Sequence, residues 1–225
     1  MKQEFSLYGS SIGKKVAMGI SGLLLVGFVL GHMVGNLKIY FGEDYYNAYA
    51  EFLREIGHPL LGHNQFLWIA RAVLLGAVLL HITAAAQLTL VGRRARRQGY
   101  RKSNDLSFSY ASRTMRWGGV IVVGFIVYHI LHLTSGTAHL SFEHGSVYRN
   151  VVTGFSRWPV ALVYIGCMIP LGLHLYHGAW SATQTLGLDA PHMERWRRTV
   201  AAAIALVVVL GNVSIPLAVL AGWVG

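Results

Sequence analysis

Hydrophobic and polar positions along the chain fall into five long apolar runs separated by polar segments. The runs cover about 16–37, 66–91, 116–135, 159–181 and 200–222. Each reaches the roughly 20 residues that an α-helix needs to cross the hydrocarbon core of a bilayer. They are continuous, whereas spanning barrels show alternating segments of roughly ten residues. The pattern predicts an all-α integral membrane protein: one transmembrane domain over 1–225, with five transmembrane helices, the first four forming a bundle. The first run is too long for a cleaved signal and continues to GHMVGN without a small-residue cleavage site.

Between the runs the expected structure is modest. Ser10 or Ser11 is placed to cap the first span. The stretch YYNAYAEFLREIG, in the long loop 38–65, predicts a short amphipathic helix at the interface. The loop 136–158 reads as polar. Pro159 suits the first turn of the fourth span, and Pro170 is expected to kink it. The fifth span carries no histidine and no charge and reads as a packing helix that closes the bundle.

Composition agrees with this picture: 54% of the 225 residues are hydrophobic and 12% charged, about half the roughly 25% usual in soluble domains. A net charge of +10 raises the question of nucleic acid, but its distribution answers no. Lys2, Lys14 and Lys15 precede span one, GRRARRQGYRK follows span two, and Arg195, Arg197 and Arg198 precede span five, so the basic residues alternate to one side. Glu43, Asp44, Glu51, Glu55 and Glu143 lie in the opposite loops. This is the positive-inside pattern, predicting a multi-pass protein of the cytoplasmic (inner) membrane with its N-terminus in the cytoplasm and its C-terminus outside. Cys167 is the only cysteine, which excludes a disulfide within the chain, a CxxCH haem attachment and an iron–sulfur site of its own.

The candidate chemistry lies in histidines that interrupt the apolar runs. His32, His81, His129 and His174 each sit deep in a different span, and ionisable groups at that depth are usually functional. His32 and His129 fall about four and six residues before the outward ends of their spans. His81 and His174 fall about ten and seven residues before inward ends, roughly 10–15 Å from that surface at 1.5 Å per residue. Depth therefore sorts them into an outer and an inner pair, each on alternate helices, which are diagonal neighbours in a four-helix bundle. Two imidazoles facing across a core can supply both axial ligands of a haem iron, which leaves no open position and suits electron transfer. Without CxxCH such haems are b-type. A zinc or copper site would gather its ligands at one level, and a proton relay would show intramembrane Asp or Glu. By spacing alone His132 competes with His129, and His177 with His174, since each lies one turn away. These two could instead bond a propionate, a quinone oxygen or a backbone carbonyl. His58, His63, His139, His144 and His192 read as solvated loop residues. Arg71, near the outward end of span two, either snorkels to the headgroups or partners an anionic cofactor group.

Four segments carry a resemblance over nearly the whole chain: SIGKKVAMGISGLLLVGFVLGHMVGNL, the LLH of span two, SRTMRWGG followed by FIVYHILH, and GLHLYHGAWSATQTLG. In these the chain resembles the two-haem, five-helix cytochrome b subunit of succinate:quinone oxidoreductases, which include succinate dehydrogenases and quinol:fumarate reductases. The family's span-three ligand follows an aromatic residue, as His129 follows Tyr128, and its span-four ligand lies six residues before a Trp-Ser pair, as His174 precedes Trp180 and Ser181. The resemblance thus implies His32 and His129 as axial ligands of an outer haem b, and His81 and His174 of an inner one. It implies an iron–sulfur subunit and an FAD-bearing flavoprotein docked on the cytoplasmic face, and quinone as the membrane substrate. It is also compatible with a higher oligomer of the complex. Ser21, Arg71, Arg113, Trp117, His132 and His177 are candidate propionate or quinone contacts. Some quinol:fumarate reductases of this type carry a glutamate two residues before the span-four ligand. Gly172 stands there, which points to the succinate dehydrogenase direction with menaquinone. Other expectations to weigh are a dihaem cytochrome b of a hydrogenase or formate dehydrogenase, and a haem-free anchor or transporter.

Overall fold

The computed structural model describes residues 7–94, 106–188 and 190–225, and for 106–114 the helical backbone alone. About 82% is helical, with no strand among the described residues. The order is α1 (Ser11–Asn36), α2 (Glu43–Glu55), α3 (Gln65–Arg94), α4 (Leu106–Leu133), α5 (Val147–Phe155), α6 (Trp158–Thr185) and α7 (Glu194–Leu220). Five stretches are long and apolar enough to cross a membrane: Ser11–Phe41, Gln65–Arg94, Met115–Leu133, Trp158–Thr185 and Pro191–Leu220. All five apolar runs are therefore helices, extended by a turn or more where flanking polar residues continue the hydrogen-bond ladder.

The ends follow local chemistry. Ser10 caps α1, its Oγ accepting from Gly13 N–H at 2.9 Å. The expected amphipathic helix is α2, which docks through Tyr46. That side chain is buried among Ile39, Val151 and Phe155, and its hydroxyl donates to Asn36 Oδ1 at 3.2 Å. Burial, then the neighbouring Tyr49, pushes the Tyr46 phenol up to about 12. A Cβ on Gly35 would meet Tyr49 Oη at 2.9 Å, so the glycine makes room for the Tyr49 ring of α2 against α1. Pro170 lies inside α6 without interrupting it. The loop 136–158 departs from expectation by containing α5. The helix is too short to stand out in the sequence, and it buries Asn150, Val151, Gly154 and Phe155.

The five long helices run antiparallel, giving the molecule two ends. At one, the basic end, lie Lys14, Lys15, Arg93, Arg94, Arg116, Arg195, Arg197 and Arg198; α2 and α5 cover the far end. Helix α1 packs on α3 and α6, α4 packs on α6, and α7 packs on α6 most extensively of all. Direct packing of α3 on α4 is at most slight among the described residues. Lipid tails provide no hydrophobic drive between helices, so the α6–α7 seam relies on small side chains and close approach. Ala161, Gly172, Ala179 and Ala182 on α6 and Ala201, Ala205 and Ala218 on α7 are buried. A Cβ on Gly172 would meet Val209 Cγ2 at 2.6 Å, and one on Gly211 would meet Met33 Sδ. Outward, leucines and isoleucines such as Leu79, Ile121, Ile169 and Leu210 are exposed, the inverted pattern that a lipid solvent favours.

Candidate functional site

Two ring pairs cross the bundle on its diagonals. His32 on α1 faces His129 on α4, with ring centroids 5.8 Å apart and planes at 81°. His81 on α3 faces His174 on α6 at 6.1 Å and 65°. Along the helices the pairs occupy different levels. Ser21 touches His81 and Gly119 lies beside His174, eleven and ten residues before His32 and His129, so the levels are roughly 15 Å apart at 1.5 Å per residue. The pair nearer the basic end is His81/His174.

Each ring is held by its neighbours. The Nδ1–H of His81 is placed to donate to the Met18 carbonyl at 3.1 Å and to Ser21 Oγ at 3.3 Å, while Ser21 itself donates to Ala17 O at 2.7 Å. That tautomer leaves the Nε2 lone pair available, as a metal-ligating histidine requires. A Cβ on Gly22 would meet His81 Cε1 at 3.1 Å, so the glycine makes room for the ring. Phe28 stacks on His32 one turn away, at 5.3 Å and 12°. His129 lies between Phe125 at 5.9 Å and Tyr164 at 5.9 Å, and its Nδ1, like that of His174, is buried without a hydrogen-bond partner.

These residues fit an iron between the rings of each pair. Two imidazole nitrogens on one metal, at about 2.0–2.1 Å each, place their ring centroids roughly 6 Å apart. Both observed separations lie close to that, and bis-imidazole ligation sets no fixed angle between the rings.

The remaining candidates separate. His132 is buried, 2% exposed, and lies away from His32: its Nδ1 shares a hydrogen with Tyr164 Oη at 3.0 Å, and its ring stacks on Tyr128 and on His139. His139, expected to be solvated, is half-buried and satisfied at both nitrogens. Nδ1 accepts from Ser141 N–H at 3.0 Å, so Nε2–H donates to the Asn150 carbonyl at 2.9 Å. Asn150, which sequence reasoning did not single out, is buried and exchanges two hydrogen bonds with the Glu143 backbone. His63, also expected to be solvated, is exposed but hydrogen-bonded through Nδ1 to Glu55 Oε1 at 2.6 Å. Arg71 is exposed and stacks over Trp68 at 4.8 Å. Trp117, 75% exposed, lines a cleft with Arg93, Arg116 and Val120. His177 Nδ1 is buried without a partner, its ring against Trp180 at 5.7 Å. The Arg113 side chain and most of the basic segment 92–102 lie outside the described residues.

The position of Tyr164 makes a direct expectation. Tyr164→Phe keeps the ring packed on His129 but leaves the buried His132 Nδ1 unpaired, a loss of about 1–3 kcal/mol. Thermal melting of the detergent-solubilised protein should register it as a lowered midpoint.

Comparison with known proteins decides the family. Residues 93–213, more than half of the chain, match the family of the succinate dehydrogenase/fumarate reductase transmembrane subunit. The chain belongs to this family. Neither a curated protein nor a solved structure gave a significant match. As a succinate dehydrogenase/fumarate reductase transmembrane subunit, it is the membrane part of a multi-subunit complex. The family match spans α4, α6 and most of α7, and therefore contains His129 and His174; His32 and His81 lie before it.

Proposed function

We propose that this membrane subunit anchors the catalytic subunits of a succinate:quinone oxidoreductase and carries electrons between an iron–sulfur subunit and menaquinone. In this reading His32 and His129 hold one b haem and His81 and His174 a second. The observation that carries it is the pairing of four intramembrane histidines, across both diagonals and at two levels. A haem bound at each pair supplies one-electron transfer with no coordination position left for another ligand.

The chain's own residues do the rest. Met18 and Ser21 hold the Nδ1–H of His81, which leaves Nε2 free as the ligand nitrogen. Phe28, Phe125 and Tyr164 restrict the rings of the other pair. The basic end suits the cytoplasmic side, so that His81/His174 is the pair nearer the docked subunits. Gly172 supports the dehydrogenase direction, since a glycine offers no proton-carrying carboxyl at that position of α6.

The test is a dithionite-minus-oxidised spectrum with haem quantitation on the intact purified complex, followed by succinate and then quinone. The expected result is two b haems per chain, both reduced by succinate and reoxidised by a menaquinone analogue. A folded complex with no Soret band would end the electron-transfer reading and leave an anchor.

A further inference from the structure

The basic end of the α6–α7 seam holds a cation that no step above uses. Arg197, in the first turn of α7, is 3% exposed, the one buried arginine or lysine side chain among the described residues. It lies on the same stripe as Ala201, Ala205 and Val208, which are buried against the bundle. Its neighbour Arg195 is exposed, as a charge that only marks topology would be.

One of its nitrogens is engaged. Nη2 donates to Glu194 Oε2, while Nε and Nη1 are buried without a partner. Glu194 is itself fixed from two other sides: Arg198 Nε donates to Oε1, and Trp180 Nε1–H reaches Oε2 at 3.4 Å. Arg198 in turn stacks over the Trp180 ring at 4.5 Å. Among the described residues two guanidiniums thus share one carboxylate, leaving one positive charge and donors on two edges of the buried guanidinium unmet. Burial of an ion in that condition is strongly unfavourable. Water could accept the free N–H groups but would leave the charge; an oxyanion answers both.

We propose that Arg197, held by Glu194, is a receptor for one oxyanion at the basic end of the bundle. Two sources carry that chemistry in a membrane: a propionate carboxylate of a haem at the His81/His174 pair, and the phosphate of a tightly held anionic phospholipid. Ala205 packs at the level of Leu175, next to His174, and Arg197 lies eight residues earlier, roughly 12 Å towards the basic end. The carboxylate source rests on the haem reading above; the phosphate source does not.

The experiment compares the intact complex with its Arg197→Gln and Arg197→Lys variants by three measurements. These are redox titration of each haem at several pH values, haem content, and bound anionic phospholipid by native mass spectrometry. For the carboxylate, Arg197→Gln lowers the midpoint potential of one haem only and steepens its pH dependence, because a lost cation favours the ferric state and raises the propionate pKa. Arg197→Lys restores most of the shift. For the phosphate, both potentials stay put and one tightly bound anionic lipid per chain is lost in Arg197→Gln and kept in Arg197→Lys. A complex without haem removes the carboxylate source alone, and the lipid count still decides. Unchanged potentials together with unchanged lipid in a folded Arg197→Gln overturn the proposal. Should that variant fail to assemble, a density map of the wild-type complex decides: an oxyanion against Nε or Nη1 supports the proposal, and water alone overturns it.

Discussion

His81→Ala is expected to reduce the complex from two b haems per chain to one, and His129→Ala to remove the other, while His132→Ala leaves both. The three variants have different structural consequences. At His81 the ring is fixed by Met18 and Ser21 through Nδ1 and lies 6.1 Å from the His174 ring, so truncation removes one of two ligands and leaves His174 unpaired. At His129 the ring is the one that meets His32. His132 lies one turn on, engaged by Tyr164 and sandwiched between Tyr128 and His139. Its loss should cost stability, about 1–3 kcal/mol for the uncompensated polar partner, with the spectrum intact. The measurement is haem content together with the reduced-minus-oxidised spectrum of each purified variant. A haem lost from His132→Ala and retained in His129→Ala would move the ligand one turn and refute the His32/His129 pairing.

Much of this architecture was legible because a bilayer imposes simple rules. A span must be long and apolar, so five runs stand out, and a histidine inside one stands out more. Depth along antiparallel helices then matches His32 with His129 and His81 with His174 before any packing is known, and these are the rings that meet across the diagonals. What stayed hidden depends on contacts between distant segments. Helix α5 is nine residues long in a polar loop, and its burial comes from α2, α6 and α7 rather than from its own pattern. His139 carries no local sign that Ser141 and Asn150 will satisfy it. Arg197 looked like one of several basic residues flanking a span. Only the close approach of α6 and α7 distinguishes it from exposed Arg195.

The far-end cap offers the sharpest test of that tertiary dependence, through a glycine whose substitution by alanine should have the opposite sign from a neighbour's. In a helix interior, Gly→Ala ordinarily stabilises by roughly 0.5–1 kcal/mol. Gly166, on the exposed face of α6 with nothing within 4 Å of a Cβ, should behave that way. At Gly154 in α5 the same Cβ would lie 2.8 Å from His132 Cε1, 3.1 Å from His139 Nε2 and 3.2 Å from His132 Nε2. Neither ring can swing aside cheaply: His132 is bonded to Tyr164 and stacked on Tyr128, and His139 is bonded at both nitrogens. The helix must lift instead, at about 1–3 kcal/mol for overpacking, which outweighs the propensity gain. Gly154→Val should be worse, since β-branching adds bulk towards the same rings. Limited proteolysis within 136–158 and thermal melting together report the outcome: faster cleavage and a lower midpoint for Gly154→Ala, and neither for Gly166→Ala. Equal behaviour of the two alanine variants would mean that α5 does not rest on the two rings, and that Tyr164 and His129 are insulated from the loop above them.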